Sequence, residues 1–220
     1  METRTALVTG AAQGLGQQFA VALAKRGYRV AGLDIGPQPE TAGKILDYVE
    51  LTADITDEQQ IHQALEQVID RFGTLHVLVN NAETVPVAEF EDVSVEEWRH
   101  VMRVNVEAPY LLTRAVLPHL KAAGWGRIVN VASSAALTAP PTMVPYVTSK
   151  AALIGFTRVL ASALGPYGIT VNAIAGGPPD VTADGPDPAG LMSTLLYVVD
   201  EGSGSLTGQT LSVTGGPLHG

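Results

Sequence analysis

The chain has 220 residues, 46% apolar and 16% charged, which suits one sizeable core and excludes a disordered chain. It has no cysteine, so a disulfide framework, a thiolate nucleophile and a Cys-ligated metal are excluded, and no metal site is expected. The formal charge of −9 argues against a nucleic-acid partner, because phosphate binding needs clustered Lys and Arg; the acidity reads as solubility.

Met1-Glu2-Thr3-Arg4 runs straight into an apolar strand pattern, with no basic stretch followed by the apolar region of a secretory signal. No window approaches the ~18 uninterrupted apolar residues of a membrane span. No membrane association is expected, and the location is expected to be cytoplasmic.

Thr5–Thr9 is too short for a helix and ends in glycine, which predicts a buried strand. A helix is predicted from Leu15 to Arg26, with Phe19, Ala20, Leu23 and Ala24 on one stripe and Gly27 as its terminator. Tyr28–Leu33 is the second strand and Leu46–Leu51 the third, beginning after a Pro- and Gly-rich loop. Thr56 and Gln59 form a capping-box pattern before a helix carrying Ile61, Leu65, Val68 and Phe72. Leu75–Val79 is the fourth strand. Ser94 and Glu97 repeat the capping pattern before one long helix that holds Trp98, Val101, Met102 and Asn105, bent at Pro109. Ile128–Ala132 is the fifth strand, Tyr146–Leu164 a helix, Ile169–Ile174 the sixth strand, Ala189–Val199 a last helix and Gln209–Val213 the seventh strand.

Strands alternating with helices imply a parallel sheet covered on both faces, since right-handed crossovers place each helix over the sheet. The expected fold is α/β, a Rossmann-type doubly wound three-layer sandwich with a seven-stranded parallel sheet. Nothing divides the chain, so one domain over residues 1–220 is expected.

Between the first strand and first helix lies Thr9-Gly10-Ala11-Ala12-Gln13-Gly14-Leu15-Gly16. Alone, such glycines mark a tight turn. Opening the first strand–helix–strand unit, they let backbone approach a pyrophosphate at a helix N-terminus. Asp34, ending the second strand, can accept hydrogen bonds from ribose hydroxyls and repel a 2′-phosphate, although it could be a plain turn aspartate. No Arg or Lys stands at Gln13 or Ile35, so NAD is expected over NADP.

Tyr146 and Lys150 lie four apart on one helix face. A nearby ammonium favours phenolate, so the Tyr146 pKa is expected below its usual value, suited to proton transfer while hydride moves. Ser133, just past the fifth strand, could hold a substrate oxygen. Ser134 is the alternative, but the spacing of thirteen residues to Tyr146 favours Ser133.

In combination these residues resemble the short-chain dehydrogenase/reductase family in its single-domain form, over nearly the whole chain. The resemblance rests on Thr9–Gly16, Asn80-Asn81-Ala82, Ser133 before Tyr146-x-x-x-Lys150, Val171-Asn172-Ala173-Ile174, Thr207-Gly208-Gln209 and Gly215-Gly216. It implies interconversion of a small-molecule secondary alcohol and a ketone using NAD(H). Tyr146 would be the general acid/base, Ser133 would orient the oxygen, and Lys150 would contact the nicotinamide ribose and tune Tyr146. Asn105 would position a water for proton relay, with a plain reading as a satisfied polar residue between helices. Gly10, Gln13, Gly14, Leu15 and Gly16 would cradle the pyrophosphate beside Asp34. Asp54 and Ile55 would flank the adenine, and Asn81 and Ala82 would line the middle of the cofactor. The resemblance also implies a homo-oligomer, tetramer or dimer, through the helices near Asn105 and Tyr146.

Three departures stand out. Glu83 replaces the glycine of the Asn-Asn-Ala-Gly motif; it either crowds and repels an anionic cofactor or points into the substrate cleft. Gly176-Gly177 followed by Pro178-Pro179 replaces the usual Pro-Gly, so Thr182 is a shifted candidate for the nicotinamide contact. A substrate lid around 178–188 is shortened, which implies an open site. Glu83 and the short lid motivate an alternative: a redox-inert, nucleotide-binding homologue acting as a sensor or structural partner.

Overall fold

The computed structural model describes residues 3–177 and 188–214. Among these, seven strands form one parallel sheet: β1 (Thr5–Thr9), β2 (Arg29–Asp34), β3 (Tyr48–Thr52), β4 (Val77–Asn80), β5 (Gly126–Ser133), β6 (Ile169–Gly176) and β7 (Thr210–Val213). Their order is β3-β2-β1-β4-β5-β6-β7. The chain builds outward from β1 in one direction, then returns to start again at β4. The connections therefore diverge between β1 and β4, and a crevice opens beyond the carboxyl ends of these strands. Strands β1, β4, β5 and β6 are buried along their whole length, which is why they read as apolar runs rather than alternating patterns.

The eight α-helices of the described residues are α1 (Gly14–Lys25), α2 (Pro39–Ala42), α3 (Glu58–Phe72), α4 (Val95–Met102), α5 (Ala108–Ala123), α6 (Ala135–Thr138), α7 (Val144–Leu164) and α8 (Pro188–Val198). On one face of the sheet Phe19, Ala20 and Leu23 of α1 pack with Leu191, Leu195 and Val198 of α8 over Val8, Val30, Val79 and Ile174. On the other face Ile61, Leu65 and Val68 of α3, Leu112 and Val116 of α5, and Ala161 and Leu164 of α7 cover Leu7, Leu33, Leu78 and Val171. Burying each large side chain contributes ~1.5–3 kcal/mol. The two apolar layers hold the carboxyl edge of the sheet rigid, and that edge carries the site.

Four expectations are corrected. The cap of α3 is Asp57, not Thr56: its carboxylate accepts from the backbone N–H groups of Gln59 and Gln60, while the Thr56 hydroxyl is taken by Asp54. The third strand starts at Tyr48 because Leu46 is exposed in the preceding turn and Ile45 fills the core instead. The long helix expected to bend at Pro109 is interrupted by a π turn, Arg103–Glu107, and Pro109, which has no N–H to donate, follows directly after it in the first turn of α5. Finally, Pro141–Tyr167 is long and apolar enough, by length and composition, to cross a membrane, although none was expected to be. Within it, Ser149, Leu153, Thr157 and Ala161 of α7 are buried, and the helix packs along β5 and β6. Thr182 and the shortened lid lie outside the described residues.

Candidate active site

The cleft begins where β1 ends. The Thr9 hydroxyl donates to the Val79 carbonyl at 3.3 Å and accepts from the N–H groups of Asn81 and Ala82, each at 3.0 Å. Asn81 returns its side-chain amide to the Thr9 carbonyl at 2.9 Å, so the ends of β1 and β4 are tied together. Gly10 turns the chain at φ +68° and passes so close to Gly16 that a Cβ on Gly16 would stand 2.0 Å from the Gly10 carbonyl oxygen. A Cβ at Gly14 would meet nothing within 4 Å, although its φ of +57° still favours glycine. Helix α1 then starts with no side-chain cap and no acidic residue in its first turn. Its leading N–H groups and positive dipole end are left for an anion, and the loop has the shape of a pyrophosphate cradle.

From there a cleft of about 1110 Å³ runs along the carboxyl edge, lined by Gly10, Gln13, Gly14, Leu15, Gly16, Asp34, Asp54, Ile55, Asn81 and Ala82. These are the residues expected to hold a dinucleotide. The Asp34 carboxylate accepts from the N–H groups of Ala12, at 2.9 Å, and Gly36, at 3.2 Å, which leaves acceptor sites for ribose hydroxyls. Asp54 accepts twice from Thr56, and Ile55 is buried beside it. Among the described lining residues the only Lys or Arg is Arg103, in the π turn that packs on α7. Among the described residues that line the Asp34 end, none is a Lys or Arg that could receive a 2′-phosphate.

At the other end of the cleft, Ser133 closes β5, and Tyr146 and Lys150 occupy the first two turns of α7; all three are buried. Glu83, in the loop after β4, turns into this cluster rather than away from it. Its Oε2 lies 2.6 Å from the Lys150 ammonium and accepts the Tyr146 hydroxyl at 3.3 Å. Lys150 also donates to the Val131 carbonyl at 2.6 Å. The Ser133 hydroxyl accepts from the Ala135 N–H, and it acts on the Tyr146 phenol in the direction that lowers its pKa. The lowered Tyr146 pKa expected from Lys150 is corrected: burial pushes the phenol well above its ordinary value and the Glu83 carboxylate adds to the rise, against a smaller opposing effect of Ser133.

Asn105 lies in the π turn with its side chain buried. Its amide donates to the Thr84 carbonyl and the Ser149 hydroxyl and its Oδ1 accepts from the Thr84 N–H, at 2.9, 3.0 and 2.9 Å. Both amide hydrogens are therefore committed to clamping the Glu83 loop onto α7. Thr84 and Ser149 were missed from the sequence, and Thr9 was read only as the start of the glycine motif. Ser149 had a faint signal, being three residues after Tyr146 on the same helix face; the pairing of Thr84 with Asn105 had none.

The comparisons agree with this geometry. The family model described as short chain dehydrogenase matches residues 4–187. The chain is 33% identical to the (2S)-[(R)-hydroxy(phenyl)methyl]succinyl-CoA dehydrogenase subunit BbsD of Thauera aromatica, over 98% of this chain and 97% of that one. It is 34% identical to a D-beta-hydroxybutyrate dehydrogenase of Rhizobium meliloti, over 80% of this chain and 71% of the relative. Among solved structures, a 3-ketoacyl-(acyl-carrier-protein) reductase of Brucella melitensis complexed with NADH superposes with a TM-score of 0.92 at 30% identity, covering 98% of each chain.

Proposed function

The chain belongs to the short chain dehydrogenase family of oxidoreductases, and from that premise we propose that it interconverts a secondary alcohol and a ketone using NAD(H). The observation that carries this reading is the junction of two arrangements along one cleft: a glycine cradle with Asp34 at one end, and at the other Tyr146 on the wall, with Lys150 buried behind it and paired to Glu83. A nicotinamide bound there supplies or accepts the hydride. The neighbour solved with NADH supports the cofactor, and Asp34, with no Lys or Arg beside it among the described lining residues, supports NAD over NADP.

In this reading the protein's own groups do five things. The cradle and the N-terminus of α1 hold the pyrophosphate; Ser133 and Tyr146 hold the substrate oxygen between two hydroxyls. Tyr146 gives a proton to that oxygen during reduction and takes it back during oxidation. Lys150 is left with one free N–H after Val131 and Glu83, enough for one ribose hydroxyl. Asn105, with its amide spent on Thr84 and Ser149, holds the loop; a relay water would have to use the second lone pair of its Oδ1. The substrate end of the cleft is apolar at Val85, Val87 and Val104.

A single domain over the whole chain is supported by one sheet carrying both halves of the site. A homo-oligomer is supported by apolar residues on outward helix faces, Tyr110 of α5 at 49% exposure and Val159 of α7 at 69%. The deciding experiment is calorimetric titration with NAD and with NADP, followed by assay on a panel of alcohols and ketones. Tight NAD binding, weak NADP binding and turnover are expected. Binding without turnover would return the redox-inert alternative.

A further inference from the structure

We propose that Glu83 is a positioning residue of the acid–base cluster, one that holds Tyr146 as a hydrogen-donating phenol and neutralises Lys150, so that the enzyme reduces ketones readily at neutral pH and oxidises alcohols only under alkaline conditions. The proposal rests on the functional reading above and deepens it. One carboxylate oxygen receives both the Lys150 ammonium, at 2.6 Å, and the Tyr146 hydroxyl, at 3.3 Å. A phenol donating to an anion keeps its proton, because losing it would set two negative charges against each other at that distance. The lysine that would otherwise offset the phenolate is already paired with Glu83 and capped by Val131.

The groups around the Tyr146 hydroxyl add nothing that reverses this. Ser133, from the end of β5, is a neutral hydroxyl. The ring sits in an apolar nest of Ala135, Met143, Val85 and Val147. From α4 and the π turn, His100 and Arg103 line the same cleft, but the Glu83 carboxylate pairs with Lys150 and the Tyr146 hydroxyl rather than with either of them. Burial and Glu83 together drive the phenol upward, in the direction the geometry requires. The Glu83 side chain is itself 27% exposed, so the cluster opens to water in the cleft.

The chemistry has a direction-dependent consequence. In reduction, hydride reaches the carbonyl carbon, the carbonyl oxygen takes the Tyr146 proton, and the phenolate is reprotonated from water. The phenol is the starting form, so this step needs no prior ionisation. In oxidation the substrate hydroxyl must give its proton to a phenolate, and that form is scarce until the pH approaches the raised value.

The test compares the wild type with Glu83→Gln, which keeps shape and removes charge, and Glu83→Gly, which opens the loop. For alcohol oxidation, kcat/KM should level off at least one pH unit lower in both variants than in the wild type, so that oxidation at pH 7 rises about tenfold or more, since one pH unit is a tenfold change in phenolate. Reduction at pH 7 should change by less. Superimposable oxidation profiles would overturn the proposal. An independent readout needs no turnover: the Tyr146 resonance in protein labelled with 13C at tyrosine Cζ, assigned with Tyr146→Phe, should titrate at lower pH in Glu83→Gln than in the wild type. Identical titration, including no ionisation in either protein up to the limit of the fold, would overturn it even if the chain catalyses nothing. A downward shift without turnover would instead uphold the cluster and overturn the enzymatic reading.

Discussion

Glu83, which stands where the Asn-Asn-Ala-Gly motif has glycine, is 2.6 Å from Lys150, and the same Glu83 oxygen accepts the Tyr146 hydroxyl. Removing that hydroxyl therefore leaves the ion pair behind it intact. Tyr146→Phe is expected to fold, to bind NAD within about threefold of the wild type, and to lose at least ~10²–10⁴-fold in kcat, the usual worth of a positioned proton donor. Steady-state kinetics alongside calorimetric NAD titration would check this, and retained turnover would remove Tyr146 from the mechanism.

Cofactor choice is expected to turn on the charge of Asp34. Asp34→Asn keeps an oxygen for only one of the two backbone N–H groups, since Ala12 donates to Oδ2 and Gly36 to Oδ1, while removing the repulsion of a 2′-phosphate. NADP affinity should rise about tenfold, equivalent to ~1.4 kcal/mol, with a smaller change for NAD. Unchanged NADP binding would mean that Asp34 is only a turn residue.

Behind the site, Asn80 donates to Asn130 and Asn130 donates to the Thr157 hydroxyl, both at 2.8 Å and all buried. Thr157→Val preserves volume but orphans an amide hydrogen of Asn130. It should cost ~1–3 kcal/mol, read as a lower urea midpoint with an unchanged slope. A midpoint equal to that of the wild type would show that the amide finds another partner.

Asp57 caps α3, and hydrogen bonds from Gln60, backbone first and then side chain, hold its carboxyl below the usual range. A depressed folded-state pKa means the cap contributes in full above the ordinary Asp value of about 3.9 and loses that contribution as the pH falls through the lower folded value. Asp57→Ala should therefore lower Tm at pH 7, and the gap from wild type should close in strongly acid buffer. A gap constant across that range would contradict the assignment.

Light scattering should find an assembly larger than a monomer, and Val159→Glu on the outward face of α7 should shift it towards smaller species. A wild-type monomer would leave the apolar outward residues of α5 and α7 unexplained.

Most of the frame was legible because the central strands are buried on both faces and each large helix is striped on one, which are the two periodicities a sequence displays openly. The glycine loop and the Tyr146–Lys150 pair were legible for the same reason: they depend on local spacing. What escaped reading were relations across the fold. Whether Glu83 faced the cofactor or the substrate depended on how its loop is fastened, and the fasteners are Asn105 and Thr84, twenty-one residues apart. The sign of the Tyr146 shift was misread because its first cause is burial of the phenol, with the Glu83 charge adding to it, and both are set by the fold rather than by local spacing. The cap moved from Thr56 to Asp57 because both are good caps and Asp54 had already claimed the threonine.

The π turn at Arg103–Glu107 makes this stretch a gear rather than a rod. One extra residue per turn leaves α4 and α5 out of phase by about 100°, the angular step of a single helical residue. Deleting Val104 would shorten the chain very little, yet it would rotate the two halves against each other. Either Val101 or Asn105 would then have to swing out of the interior, and the loop that Asn105 fastens would go with it. Insertions and deletions within these five residues should therefore behave as rotations of the catalytic wall, while changes of similar size beyond Ala123 should be absorbed by the turn at Gly124.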